Sequence, residues 1–199
     1  MTILVLIRHG QSVWNATNRF TGWTDVELSE KGEGEAAMAG EQLADVRFDV
    51  VHTSALIRAQ KTAEIVMSKN RVSGEIPTKQ DERLNERHYG DLQGLNKAET
   101  AEKFGAEQVH IWRRSFDVAP PDGESLEMTA ERTIPYFEEE ILPDLQAGKG
   151  VLVSAHGNSL RSIVMHIEGI SPEDIVSLEI QTGSPMFYEF ESGEISRIG

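Results

Sequence analysis

Cysteine is missing from all 199 residues. That excludes disulfides, a thiolate nucleophile, Cys-ligated zinc and iron–sulfur clusters, and it suits a reducing, cytoplasmic setting. Long apolar runs are missing too. The N-terminal run Ile3–Ile7 is five residues long, has no basic region before it and is followed at once by charge, so neither a signal peptide nor a membrane span is expected. Basic residues are scarce. Nineteen Lys and Arg against 33 Asp and Glu leave a net charge of −14, a field that repels polyanions, and neither nucleic acid nor membrane is an expected partner. Neither G-x-x-x-x-G-K-[ST] nor G-x-G-x-x-G occurs, which disfavours nucleotide chemistry. With no repeats, low-complexity tracts or linkers, residues 1–199 read as a single domain.

What is present alternates between strand and helix signals. Strands are expected at Ile3–Ile7, Phe48–His52, near Ile76–Lys79, at Val151–Ala155, Leu178–Gln181 and Met186–Phe190, the last alternating as an edge strand does. Helices are expected from a Ser29 cap to about Leu43, through Ala55–Met67, from Glu124-Ser125 to Leu145 with a kink at Pro135, from Ser159 to Ile167, and briefly after Pro172. The stretch Asn85–Pro121 reads as loops and short helices, closed by Pro120-Pro121-Asp122-Gly123. The pattern implies an α/β fold, a three-layer sandwich with a mostly parallel sheet and helices on both faces.

Two of these strands stop at histidine: Ile3–Ile7 runs into Arg8-His9-Gly10-Gln11-Ser12, and Val151–Ala155 into His156-Gly157-Asn158. Ligands bind at the carboxyl ends of strands in open α/β sheets, so both imidazoles can meet in one crevice. Arg8 suits that crevice to an anion, Gly10 allows close backbone approach, and Gln11, Ser12 and Asn15 offer donors. A histidine so placed can be a nucleophile toward phosphorus. Although the chain is acidic, Arg8, Arg58, Arg83, Arg87, Lys97, Arg113 and Arg114 lie beside these motifs, and a cationic pocket of that kind favours a small, highly charged anion.

The segments Leu6-Ile7-Arg8-His9-Gly10-Gln11-Ser12-Val13-Trp14-Asn15, Phe20-Thr21-Gly22-Trp23, Leu84-Asn85-Glu86-Arg87-His88-Tyr89-Gly90, Gly94-Leu95-Asn96-Lys97, Trp112-Arg113-Arg114-Ser115 and Ala155-His156-Gly157-Asn158-Ser159-Leu160-Arg161 resemble the cofactor-dependent phosphoglycerate mutases of the histidine phosphatase superfamily. The likeness covers nearly the whole chain. It implies interconversion of 3-phosphoglycerate and 2-phosphoglycerate in glycolysis and gluconeogenesis, through a phosphohistidine at His9 primed by 2,3-bisphosphoglycerate, with no metal. By the same resemblance Arg8, Arg58 and His156 clamp the transferring phosphoryl group, and Glu86 is the general acid and base. Substrate contacts are implied for Arg8, His9, Gly10, Gln11, Ser12, Val13, Trp14 and Asn15, for Thr21, Gly22, Arg58, Glu86, Arg87, His88, Tyr89 and Lys97, and for Arg113, Arg114, Gly157 and Asn158.

Two other classes stay open on the residues alone. Discharge of the same phosphohistidine to water would make a metal-independent histidine phosphatase acting on small phosphate esters. A non-enzymatic phosphometabolite-binding protein would keep the pocket but has no need of both His9 and Glu86. Lys97 with Arg113 and Arg114 favours the mutase, which must hold a carboxylate while the substrate reorients. Longer members of the resembled family carry extra loop where Phe116–Glu124 is short, and a longer tail after Phe190. A less covered site and a monomer or weak homo-oligomer are therefore expected.

Overall fold

The N-terminal apolar run becomes β1 (Thr2–Arg8) in a computed structural model that describes all 199 residues. It is followed by α1 (Val13–Ala16), α2 (Glu30–Gln42), β2 (Val50–Thr53), α3 (Ile57–Lys69), β3 (Thr78–Gln80), α4 (Lys97–Phe104) and α5 (Ala106–Arg114). Then come α6 (Leu126–Tyr136), α7 (Leu142–Gln146), β4 (Val151–Ala155), α8 (Gly157–Glu168), α9 (Pro172–Ile175), β5 (Pro185–Glu191) and β6 (Glu194–Arg197). The six strands form one sheet in the order β3-β2-β4-β1-β5-β6. β3, β2, β4 and β1 run parallel, whereas β5 and β6 are antiparallel additions beside β1.

β1 is apolar from Ile3 to Ile7 because helices cover the sheet on both sides. Leu4 and Leu6 face a cluster with Tyr136, Phe137, Ile141, Leu160 and Ile163 from the α6–α8 side. Val5 and Ile7 point the other way, into Ala39 of α2, Leu43 just after it, and Ala63 and Val66 of α3. A third, smaller cluster of Phe20, Leu92, Val109 and Trp112 packs α5 against the loops above the strand ends. These loops become the roof of the site.

Ser29 caps α2 as expected, accepting from Gly32 N at 3.1 Å, and Pro172 opens α9. The long helix loses its regular α-helical ladder just beyond Pro135. A π-helical turn, Phe137–Ile141, separates α6 from α7, bracketed by Pro135 and Pro143, which both lack the N–H an unbroken ladder needs. Two strand expectations differ from the structure. Leu178–Gln181 is not a strand, because guanidinium groups satisfy its carbonyls: Arg161 Nε donates to Leu178 O at 2.7 Å and Arg8 Nη1 to Ile180 O at 2.8 Å. Nor is Met186–Phe190 at the edge, since β6 pairs along its outer side.

Gly32 and Gly34 both weaken α2 by propensity, yet only one has a steric reason to be there. A Cβ on Gly32 would lie 2.0 Å from Gln11 O, and one on Gly10 would lie 2.1 Å from Gly32 O, whereas Gly34 has open space. The first turn of α2 thus rests directly on the loop after β1. Gly32→Ala should destabilise the fold by about 1–3 kcal/mol through overpacking, while Gly34→Ala should stabilise it by about 0.5–1 kcal/mol. Urea denaturation of the two variants checks this; equal stabilisation by both would remove the close approach.

Candidate active site

The parallel register of β1 with β4 pairs Arg8 with Ala155, so the next residues, His9 and His156, emerge side by side. His9 N donates to Ala155 O at 3.0 Å, and the two ring centroids are 4.9 Å apart. His9 is 2% exposed and its Nδ1 lies 2.7 Å from Gly10 O. A carbonyl only accepts, so Nδ1 carries the proton and Nε2 keeps its lone pair. Burial first, then the charges of Arg58 and Arg8, push His9 well below the usual histidine range. Burial and the same arginines do so for His156. Both rings are neutral at pH 7.

Around them stands a cationic frame. Arg58, 1% exposed on α3, donates to Gly22 O at 2.6 Å and Thr24 O at 3.1 Å; burial pushes its pKa down to about 10, which leaves it charged. Gly22 reaches that carbonyl with φ +56°, a conformation that suits glycine. Arg8 is held by Ile180 O. Arg8 Nε, Arg58 Nε, Thr21 Oγ1 and His156 Nδ1 are buried and make no hydrogen bond within the protein. Such atoms are rare in folded proteins, and their concentration here fits a group rich in acceptor oxygens.

Glu86 closes the site from the loop after β3. Its Oε1 accepts from Arg87 N at 2.8 Å, Asn158 N at 3.1 Å and Asn158 Nδ2 at 3.0 Å, which leaves Oε2 for the cleft. Burial alone would raise this carboxyl, but Arg8, the Arg87 amide and Asn158 outweigh it and hold it below the usual range. Its main-chain oxygen is gripped by Arg132 Nη2 at 2.9 Å, and Arg132 is fixed in turn by Glu124.

The cleft runs from this inner end, lined by Asn15, Arg19, Thr21 and Gly22, to an outer lobe of Tyr89, Lys97, Arg113, Arg114, Asn158 and Arg161. Lys97 is lowered by burial and by Arg113 and Arg8. Arg114 pairs with Glu179, so of the two adjacent arginines one is engaged in an ion pair. Arg87 supports Tyr89 from behind, its guanidinium carbon 4.7 Å from the ring centroid.

Other residues proposed from the sequence make contacts within the walls. Ser12 caps α1 by accepting from Asn15 N, Gln11 Oε1 accepts from Ser29 Oγ, and Gly10 N donates to Thr62 Oγ1. His88 accepts from Gly90 N and packs edge-on against Trp23. Val13 is exposed and Trp14 lies against Gly94. Arg19 and Arg161 line the cleft although sequence reasoning gave them no role. Arg161 lies three residues beyond Asn158 and bonds its Oδ1 at 3.1 Å, a helical spacing that could have flagged it.

The histidine phosphatase superfamily (branch 1) family model matches residues 4–197. The chain belongs to the histidine phosphatase superfamily. Among similar members of this superfamily is the 2,3-bisphosphoglycerate-dependent phosphoglycerate mutase of Cytophaga hutchinsonii, 55% identical over 192 residues that cover 96% of this chain and 89% of the relative. Another, from Gloeobacter violaceus, is 51% identical over 199 residues, covering 100% of this chain and 90% of its own. The solved structure of Bacillus stearothermophilus YhfR superposes with a TM-score of 0.86 at 31% identity, covering 99% of this chain and 95% of that one. A mycobacterial glucosyl-3-phosphoglycerate phosphatase does so with a TM-score of 0.84 at 27% identity, covering 100% and 98%.

Burial of neutral histidines gives this superfamily member an acid sensitivity with a definite sign. Burial holds His9, His156 and His52 below the ordinary histidine value of 6.5. Below about pH 6.5 the unfolded chain therefore binds protons that the folded chain does not, and stability falls by up to about 1.4 kcal/mol per pH unit for each such histidine. Above that pH the contribution is fully present and flat. Urea denaturation at pH 7.5, 6.5 and 5.5 should show the fall, and His9→Asn should make it shallower by one proton. An unchanged slope in the variant would contradict a neutral His9.

Proposed function

We propose that the chain interconverts 3-phosphoglycerate and 2-phosphoglycerate through a phosphohistidine on His9, primed by 2,3-bisphosphoglycerate. One observation carries the reading: the His9 ring is neutral, with its Nδ1 proton tied to Gly10 O, which frees Nε2 as a nucleophile among charged arginines. Relatives of about half-identical sequence bear this activity in their names, which supports it.

In the phosphorylated enzyme a substrate hydroxyl oxygen attacks phosphorus. The P–Nε2 bond breaks, His9 returns neutral, and the hydroxyl proton passes to Glu86. In the return step Nε2 attacks the substrate's other phosphate, the P–O ester bond breaks, and Glu86 gives its proton to the departing oxygen. A low carboxyl pKa suits the first step. Phosphate entering beside Arg8 and Arg58 offsets the charges that depress Glu86, so the loaded site holds the proton better than the free one. Arg8, Arg58 and His156 supply positioning and charge stabilisation, which is most of what phosphoryl transfer requires. The outer lobe, with Lys97, Arg113 and Arg114, would hold the carboxylate.

Hydrolysis of the same intermediate is the second reading, and the connection after α5 favours it as a side reaction. That short segment is pinned beside residues 88–91, Asp91 N donating to Pro121 O at 3.0 Å and Glu124 N to His88 O at 2.7 Å. A site with so short a cover admits water. We also infer a cytoplasmic protein that is a monomer or weak homo-oligomer.

A coupled assay with EDTA present should show 2-phosphoglycerate formation that depends on catalytic 2,3-bisphosphoglycerate, with a minor release of inorganic phosphate. His9→Ala should abolish both products, and Glu86→Gln should lower turnover by about a hundredfold or more. Arg113→Ala should cost about ten- to a hundredfold in substrate affinity, as expected for a charge-assisted hydrogen bond. Phosphate release without any isomerised product would favour the phosphatase.

A further inference from the structure

Ser54 follows β2 directly, one residue beyond the register pair of Thr53 with Ser154, and this puts it beneath His156. Its side chain is completely buried. Ser54 Oγ lies 2.7 Å from His156 Nε2, and it accepts from Leu56 N at 3.2 Å. A backbone N–H can only donate, so that contact uses a lone pair of the hydroxyl and leaves its proton to be placed. The one acceptor in hydrogen-bond contact with Oγ is His156 Nε2. If the ring instead donated from Nε2, a buried hydroxyl proton would have no partner, which folded proteins avoid.

We propose that Ser54 is a positioning residue that fixes His156 as its Nδ1–H tautomer, and so makes a neutral ring a hydrogen-bond donor to the phosphoryl group carried by His9. Rested on the phosphohistidine reading, the inference explains the unpartnered His156 Nδ1, in a ring whose centroid is 4.9 Å from that of His9. A donor is useful there in both directions of transfer, because the equatorial oxygens keep their negative charge throughout. In the other tautomer Nδ1 would present a lone pair to those oxygens and repel them. The backbone reinforces the arrangement, since His156 N donates to Ser159 Oγ at 3.2 Å and holds the ring's own residue at the start of α8.

Nitrogen-15 NMR of histidine-labelled free enzyme tests this directly. The expected result is a pyrrole-type Nδ1 and a pyridine-type Nε2 for His156 at neutral pH. Ser54→Ala should mix or invert the tautomers and lower kcat by about tenfold or more, with little change in KM, because only a fraction of the molecules then present the donor. Ser54→Thr, which keeps the hydroxyl, should restore both the spectrum and kcat. A pyridine-type Nδ1 in the parent, or a Ser54→Ala protein with parental tautomer or parental kcat, would overturn the proposal. The spectrum of the parent is decided whether or not phosphoglycerate is turned over, so failure of the mutase reading would appear separately, as missing activity beside a protonated Nδ1.

Discussion

Everything chemical in this protein depends on the register between two parallel strands. With Arg8 opposite Ala155, the imidazoles of His9 and His156 cannot avoid each other; the loop after β1 supplies the carbonyl that fixes His9 Nδ1, and the residue after β2, Ser54, supplies the hydroxyl against His156 Nε2. A slip of one residue would turn Arg8 or Gly10 to the position of His9 and reverse the faces of Leu4, Val5, Leu6 and Ile7. Both faces of β1 are buried against different helices, so the packing that stabilises the sheet also holds the site in place. The close contact of Gly10 with Gly32 extends that control from the strand to the loop behind His9.

A strongly acidic protein with a cationic cleft is not a contradiction once burial is considered. Arg58 and Arg8 act on His9 and Glu86 from within a water-poor site, where a charge is felt more strongly than at the surface. Their effects on the two groups are complementary: with burial, which acts first, they keep an imidazole neutral, and against burial they keep a carboxyl ionised, the pairing that the proposed transfer from a phosphohistidine to a hydroxyl calls for. Many carboxylates are exposed, those of Glu30, Glu33 and Glu41 on α2 among them, where salt screens them. The field felt by a small anion is local.

Much of this was legible in the sequence. Continuous apolar runs ending in Arg-His-Gly and His-Gly-Asn announce buried parallel strands with histidines at their carboxyl ends, and the Ser29 cap and Pro172 mark helix starts by local chemistry alone. What was not legible depended on groups distant in sequence. The segment Leu178–Gln181 has strand-like composition, but its carbonyls are taken by Arg161 and Arg8. Arg87 looks like a further anion binder by residue type, and in the structure it supports Tyr89; Arg132, to which the sequence attached no role, grips the Glu86 main chain. Ser54 carries no local signal at all, and its partner is 102 residues away.

In the proposed reaction His9 acts through Nε2 because Nδ1 is committed to its neighbouring carbonyl. The most direct measurement is to phosphorylate the protein with 2,3-bisphosphoglycerate, map the acid-labile label, and establish by NMR which ring nitrogen carries phosphorus. The expected result is a single phosphohistidine at His9, substituted on Nε2. Phosphorus on His9 Nδ1, or on His156, would contradict the account.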